Sequence, residues 1–140
     1  ISEKGGFDLE AGDDRLAVFV CDVNGATKYI LPLYGKGMWD AISSYLCLND
    51  DKQTVYGAFF SHKGETPGLG AEIATPNFQG RFSGKTAMSN GEVKLKVVKN
   101  GKVQDTTCEV DGISGGTVTS GCVSNMLQNY LTKYKSFLTK

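Results

Sequence analysis

The chain has 140 residues with 15 basic and 15 acidic side chains, so its formal net charge is zero. A chain of this size forms one domain with room for a real core, and the missing basic surplus argues against an electrostatic nucleic-acid binder. No run of ~18 apolar residues occurs, so no helix within it is built to span a bilayer.

Residues 1–14 are polar and hold three glycines, which predicts an irregular lead-in without chemistry of its own. Leu16 to Val23 is rich in β-formers and ends at Asn24-Gly25. A second strand from Lys28 to Leu33 follows closely, so the two read as a hairpin. Tyr34-Gly35-Lys36-Gly37 reads as a turn. Behind it Met38, Trp39, Ile42, Tyr45 and Leu46 have helical spacing, predicting a helix over 38–48. From residue type alone Trp39 is a core aromatic of that helix.

Asn49 to Lys52 is a polar turn, and Thr54 to His62 reads as a strand. Gly64-Glu65-Thr66-Pro67-Gly68-Leu69-Gly70 follows, an irregular loop whose proline fixes its own φ and biases Thr66 to extended geometry. His62, the only histidine, has no acid or nucleophile at a recognisable spacing and reads as a strand-end residue. Pro76 to Phe82 suggests a short turn of helix. Gly80-Arg81-Phe82-Ser83-Gly84-Lys85-Thr86 is not a phosphate-binding P-loop, because three residues, not four, separate its glycines. Glu92 to Lys99, Asn100-Gly101 and Lys102 to Gln104 predict a hairpin, with a returning strand to about Val110.

The four cysteines, Cys21, Cys47, Cys108 and Cys122, form no C-x-x-C pair, and with one histidine they make a zinc or iron–sulfur site a poor reading. They could form two disulfides in an oxidising compartment. We favour free thiols, because a core of this size needs no staples.

Asp111-Gly112-Ile113-Ser114-Gly115-Gly116-Thr117-Val118-Thr119-Ser120 packs four hydroxyls and three glycines into ten residues. Val123, Met126, Leu127, Tyr130, Leu131, Tyr134, Phe137 and Leu138 then recur at spacings of three and four, predicting an amphipathic helix near 121–138. The hydroxyls therefore sit at a helix N-terminus, where free N–H groups and the helix dipole favour a phosphate. Three readings compete. A Ser or Thr here could simply cap the helix, contributing about 1 kcal/mol. Gly112-Ile113-Ser114-Gly115-Gly116 also fits the G-x-S-x-G elbow of a hydrolase with Ser114 as nucleophile, although the only histidine lies upstream. The third reading is a bound phosphate.

The same run resembles the flavin-attachment motif of the C subunit of the bacterial sodium-pumping NADH:quinone oxidoreductase, a family related to the G subunit of the Rnf electron-transport complex. That motif reads Ser/Thr-Gly-Ala-Thr-x-Thr. Ser114, Gly115 and Gly116 precede the acceptor Thr117, and Val118, Thr119 and Ser120 follow, with Gly116 where the family usually has Ala. Pro32-Leu33-Tyr34-Gly35-Lys36-Gly37-Met38-Trp39 and the 64–70 loop look like two further signatures of the same family, in the same order. The resemblance covers about Leu31 to Tyr130.

The resemblance implies an α+β domain, a mostly antiparallel twisted sheet packed with helices, with FMN covalently attached to Thr117 through a phosphoester. It implies that Glu65, Thr66, Gly68, Leu69 and Gly70 lie against the ring system, with Leu69 as an apolar lid and Trp39 as an aromatic neighbour. Lys99, at the end of the predicted hairpin strand, reads either as a plain solvent-exposed lysine or as a positive charge near the flavin that stabilises the anionic reduced ring. A separate magnesium-dependent flavin transferase would attach the flavin from FAD. The domain would be a one-electron carrier in a membrane complex that oxidises NADH, reduces quinone and exports sodium. An N-terminal helix missing from this Ile-initiated chain would anchor it once in the bacterial inner membrane, on the periplasmic side. An Rnf-type electron-transport protein and a non-catalytic periplasmic binding module are the alternatives.

Overall fold

The computed structural model describes residues 18–139. The predicted lead-in over 1–14 and the first residues of the first predicted strand lie outside them. Four antiparallel strands form the main sheet in chain order: β1 (Phe19–Val23), β2 (Ala26–Lys36), β3 (Ala41–Leu48) and β4 (Val55–His62). Asn24 and Gly25 both take positive φ, 54° and 84°, the geometry a two-residue hairpin turn demands. Pro32 sits inside β2, and among the described residues β1 pairs only as far as Ile30, so its missing N–H falls past the last described β1 pair.

The helix predicted over 38–48 is instead strand β3, in register with β2 from Tyr29↔Leu48 to Lys36↔Ala41. The reason is arithmetic. Ile42 and Leu46 are four apart, a spacing that satisfies both helical and alternating periods. Burial decides: Ile42, Ser44, Leu46 and Leu48 all face inward, whereas Tyr45 stands on the outer face beside Phe59, ring centroids 6.4 Å apart.

A 3-10 turn (Gly70–Ala74) leads into α1 (Pro76–Gly80), where Thr75 caps and Pro76 takes the first helical position. Gln79 Oε1 accepts the Phe60 N–H at 2.7 Å and docks α1 on β4. Beneath, Phe60, Phe78 and Phe82 pack with centroids 4.9–5.5 Å apart. A small hairpin, β5 (Met88–Ser89) and β6 (Glu92–Val93), turns on Asn90-Gly91.

The hairpin predicted around Asn100-Gly101 does not form. β7 (Lys96–Val98) pairs in parallel with β8 (Glu109–Asp111), and Lys102–Gln104 is not a strand. Lys102-Val103-Gln104 offers one apolar side chain to bury, whereas β8 brings fully buried Val110. Asn100-Gly101 still turns, held by the Asp111 carboxylate, which accepts the Gly101 N–H at 2.8 Å.

Helix α2 (Thr117–Lys133) and the short α3 (Lys135–Leu138) complete the fold. α2 begins four residues before the predicted start. It lays Val123, Met126, Leu127 and Leu131 on the inner sheet face, and the Tyr134 hydroxyl donates to the Pro32 carbonyl at 3.1 Å. The expected α+β architecture with a mostly antiparallel sheet is what the chain adopts.

Candidate functional site

The segment behind β8 is braced before it turns. The Arg81 guanidinium donates to the carbonyls of Asp111 (2.9 Å) and Gly112 (3.2 Å), and the Asn100 amide donates to Gly112 (2.9 Å). Ile113 to Gly116 then forms a β-turn closed by the Gly116 N–H on the Ile113 carbonyl, with Gly115 at φ 78° as a type II turn requires.

Gly116 is the N-cap of α2 and offers no side chain, so the expected hydroxyl cap is absent. The four hydroxyls divide instead. Ser120 is buried and its oxygen accepts the Ile113 N–H at 2.9 Å, fastening the turn to the helix. Thr119 is buried and donates to Glu65 Oε1 at 2.6 Å. Ser114 and Thr117 are exposed. Thr117 occupies the first helical position, and the Thr117, Val118 and Thr119 N–H groups receive no side-chain cap. The start of this 17-residue helix thus keeps main-chain N–H groups without a side-chain cap from its N-cap residue, and the helix dipole makes that end positive.

A cleft of about 380 Å³ opens beside that helix start. One wall is Gly115 to Thr119; the other is Met38, Trp39, Thr66, Leu69 and Gly70. Trp39 is 64% and Leu69 45% exposed, large apolar surface turned outward at one place. No lining side chain is titratable. Trp39 is therefore a wall of the cleft and not a core aromatic. It also borders a second cavity, of about 720 Å³, running towards Tyr130 and Lys133.

Glycines permit the close approach of the walls. A Cβ on Gly70 would run into the Thr119 hydroxyl, and one on Gly115 would lie 2.8 Å from Leu69 Cδ2. Gly68 (φ 76°) turns the loop but does not line the cleft.

Glu65 takes a different place from its loop neighbours. It is 4% exposed and lies behind the cleft wall. Its carboxylate accepts the Met38 N–H (3.1 Å), the Trp39 N–H (3.0 Å) and the Thr119 hydroxyl. Burial pushes its carboxyl up, but the Thr119, Trp39 and Met38 hydrogen bonds outweigh this and hold it below the ordinary range. Lys99 is exposed at the end of β7 and is not among the lining residues. His62 Nδ1 accepts the Glu65 N–H at 3.2 Å, so Ser114 has no histidine hydrogen-bonded to it. Met38 is the lining residue that sequence reasoning missed; its neighbour Trp39 was the available signal.

The sequence matches the FMN-binding domain family over residues 37–132, a span containing every wall of the cleft. It is 38% identical over 125 residues to the C subunit of the Na(+)-translocating NADH-quinone reductase of Haemophilus ducreyi, covering 82% of this chain and 48% of that protein. It is 37% identical over 124 residues to the protein of the same name from Vibrio vulnificus, covering 88% and 49%. Among solved structures, the reductase's C subunit from Parabacteroides distasonis has 51% identity and a TM-score of 0.85, with 89% of this chain and 63% of that one covered. Shewanella oneidensis NqrC has 28% identity and a TM-score of 0.76, covering 85% and 57%. The chain spans about half the length of the curated relatives it matches.

Proposed function

The chain belongs to the FMN-binding domain family, and from that premise we propose that it carries FMN in covalent linkage, through a phosphoester on Thr117 Oγ1. One observation carries the reading: Thr117 is the exposed hydroxyl at an uncapped helix start, inside a cleft whose far wall is apolar. The Thr117, Val118 and Thr119 N–H groups and the helix dipole would hold the phosphate charge. Trp39, Leu69 and Met38 would cover the ring and exclude water, with the Thr66 hydroxyl and the Gly70 backbone at its edge. FMN supplies reversible electron transfer when bound.

The domain does not attach its own cofactor. A threonine hydroxyl is a weak nucleophile without a base, and the cleft lining contains none. A separate magnesium-dependent flavin transferase would join Thr117 Oγ1 to the FMN phosphorus of FAD, breaking the pyrophosphate and releasing AMP. The same lack of titratable groups suits a carrier, which moves electrons without acid–base steps on a substrate.

The names of the relatives extend the proposal to the whole protein. It would be the C subunit of a sodium-translocating NADH:quinone reductase, passing single electrons between its neighbours in the complex. A helix outside the matched stretch would anchor it in the bacterial inner membrane, with this domain in the periplasm. Co-expression with a flavin transferase tests the linkage. The wild type should gain the mass of one FMN less water and fluoresce in a denaturing gel, and Thr117→Ala should do neither. A wild type that stays colourless, or a Thr117→Ala variant that still fluoresces, overturns the reading.

A further inference from the structure

Glu65 is the buried titratable group that the attachment chemistry leaves unused. Three donors from two segments converge on its two oxygens: the Met38 and Trp39 N–H groups and the Thr119 hydroxyl. A carboxylate satisfies all three, because it only accepts. Two of the three, the Met38 and Trp39 N–H groups, can only donate, and they reach one oxygen each, so the site is shaped for a group that accepts at both oxygens, which the ionised form does best. Gly37 keeps the site tight, since a Cβ there would lie 3.0 Å from Glu65 Oε1 and 2.8 Å from Ile42. Among the described residues Glu65 has no ion-pair partner, and His62 exerts the weakest of the influences on its carboxyl. The charge is therefore buried and fixed, with no cation paired to it. It is one hydrogen bond from both walls of the cleft, through Thr119 on one side and Trp39 on the other. Its field reaches beyond those bonds: after burial itself, it is the second cause that raises the Cys122 thiol.

We propose that Glu65 is a positioning and tuning residue of the flavin site. It ties the Met38-Trp39 wall to the first turn of α2, and its fixed negative charge holds the reduction potential of the flavin down. Reduction adds negative charge to a flavin, and a carboxylate behind a low-dielectric wall opposes it. This rests on the covalent-flavin reading and goes further, assigning to Glu65 a role through the wall and not at the ring.

The experiment is spectroelectrochemical titration of the flavinylated protein, with the ionisation of Glu65 followed by carboxyl carbon NMR in unflavinylated wild type. The midpoint potential of Glu65→Gln should lie above wild type. Glu65→Asp, which keeps the charge, should lie closer to wild type than the Gln variant does. Where the Gln variant does not fold, His62→Lys carries the test, since a cation beside Glu65 should also move the midpoint positive. An unchanged midpoint, or equal shifts for Gln and Asp, overturns the proposal. A Glu65 carboxyl that is neutral at pH 7 also overturns it. Failure of wild type to acquire flavin counts against the covalent reading instead, and leaves the NMR result to stand.

Discussion

Thr117 and Thr119 lie on one helical turn and face opposite ways. Thr117 reaches solvent at the helix start, whereas Thr119 is buried with its hydroxyl on Glu65. Their substitutions should therefore separate. Thr117→Val should change stability by less than about 0.5 kcal/mol, as exposed substitutions do, while removing flavin attachment. Thr119→Val should cost about 1–3 kcal/mol by leaving part of a buried carboxylate unpaired. Urea unfolding beside in-gel fluorescence checks both; equal destabilisation would contradict the division. Glu65 adds a pH signature. Its folded pKa is depressed, so its contribution is present above its ordinary carboxylate range and is lost as pH falls through the folded pKa. Glu65→Gln should be less stable than wild type at pH 7, and the gap should close below about pH 4.5. Unfolding midpoints measured from pH 7 to pH 3 read this directly; a gap that does not narrow contradicts an ionised Glu65.

The cleft exists because the 64–70 loop lies against the first turn of α2, and glycines set that distance. Gly70→Ala should force the loop off Thr119, costing about 1–3 kcal/mol as overpacking does and lowering the yield of flavinylated protein. Gly116 is different: its φ of −125° suits any residue, but an added Cβ would meet Ile113 at 3.0 Å. Gly116→Ala should therefore fold and flavinylate only with a small shift of Ile113. The motif order and the glycine-rich turn that opens α2 were legible in the sequence because they are local. What was not legible depended on partners. Ile42 and Leu46 fit two periodicities at once, and only pairing with β2 makes 41–48 a strand. Asn100-Gly101 is a true turn, yet the strand that pairs with β7 arrives after it, in parallel. Glu65 was legible as a member of its motif, but its inward direction follows from where Met38, Trp39 and Thr119 come to rest.

On the scale of the molecule, one buried core supports the cleft at the start of α2, and no covalent cross-link is involved among the described residues. All four cysteines are free thiols in the structure. Alkylation of denatured protein should label four cysteines with or without prior reduction; two fewer without reductant would reveal a disulfide. The family match covers the cleft and the core beneath it, so the walls of the proposed flavin site all come from this chain. The matched stretch spans about half of the relatives' length. The most direct test is tandem mass spectrometry of the peptide spanning β8 and α2 from transferase-treated protein. It should place FMN less water on the side chain of residue 117 and nowhere else. The same mass on Ser114 or Thr119, or an unmodified peptide, contradicts the account.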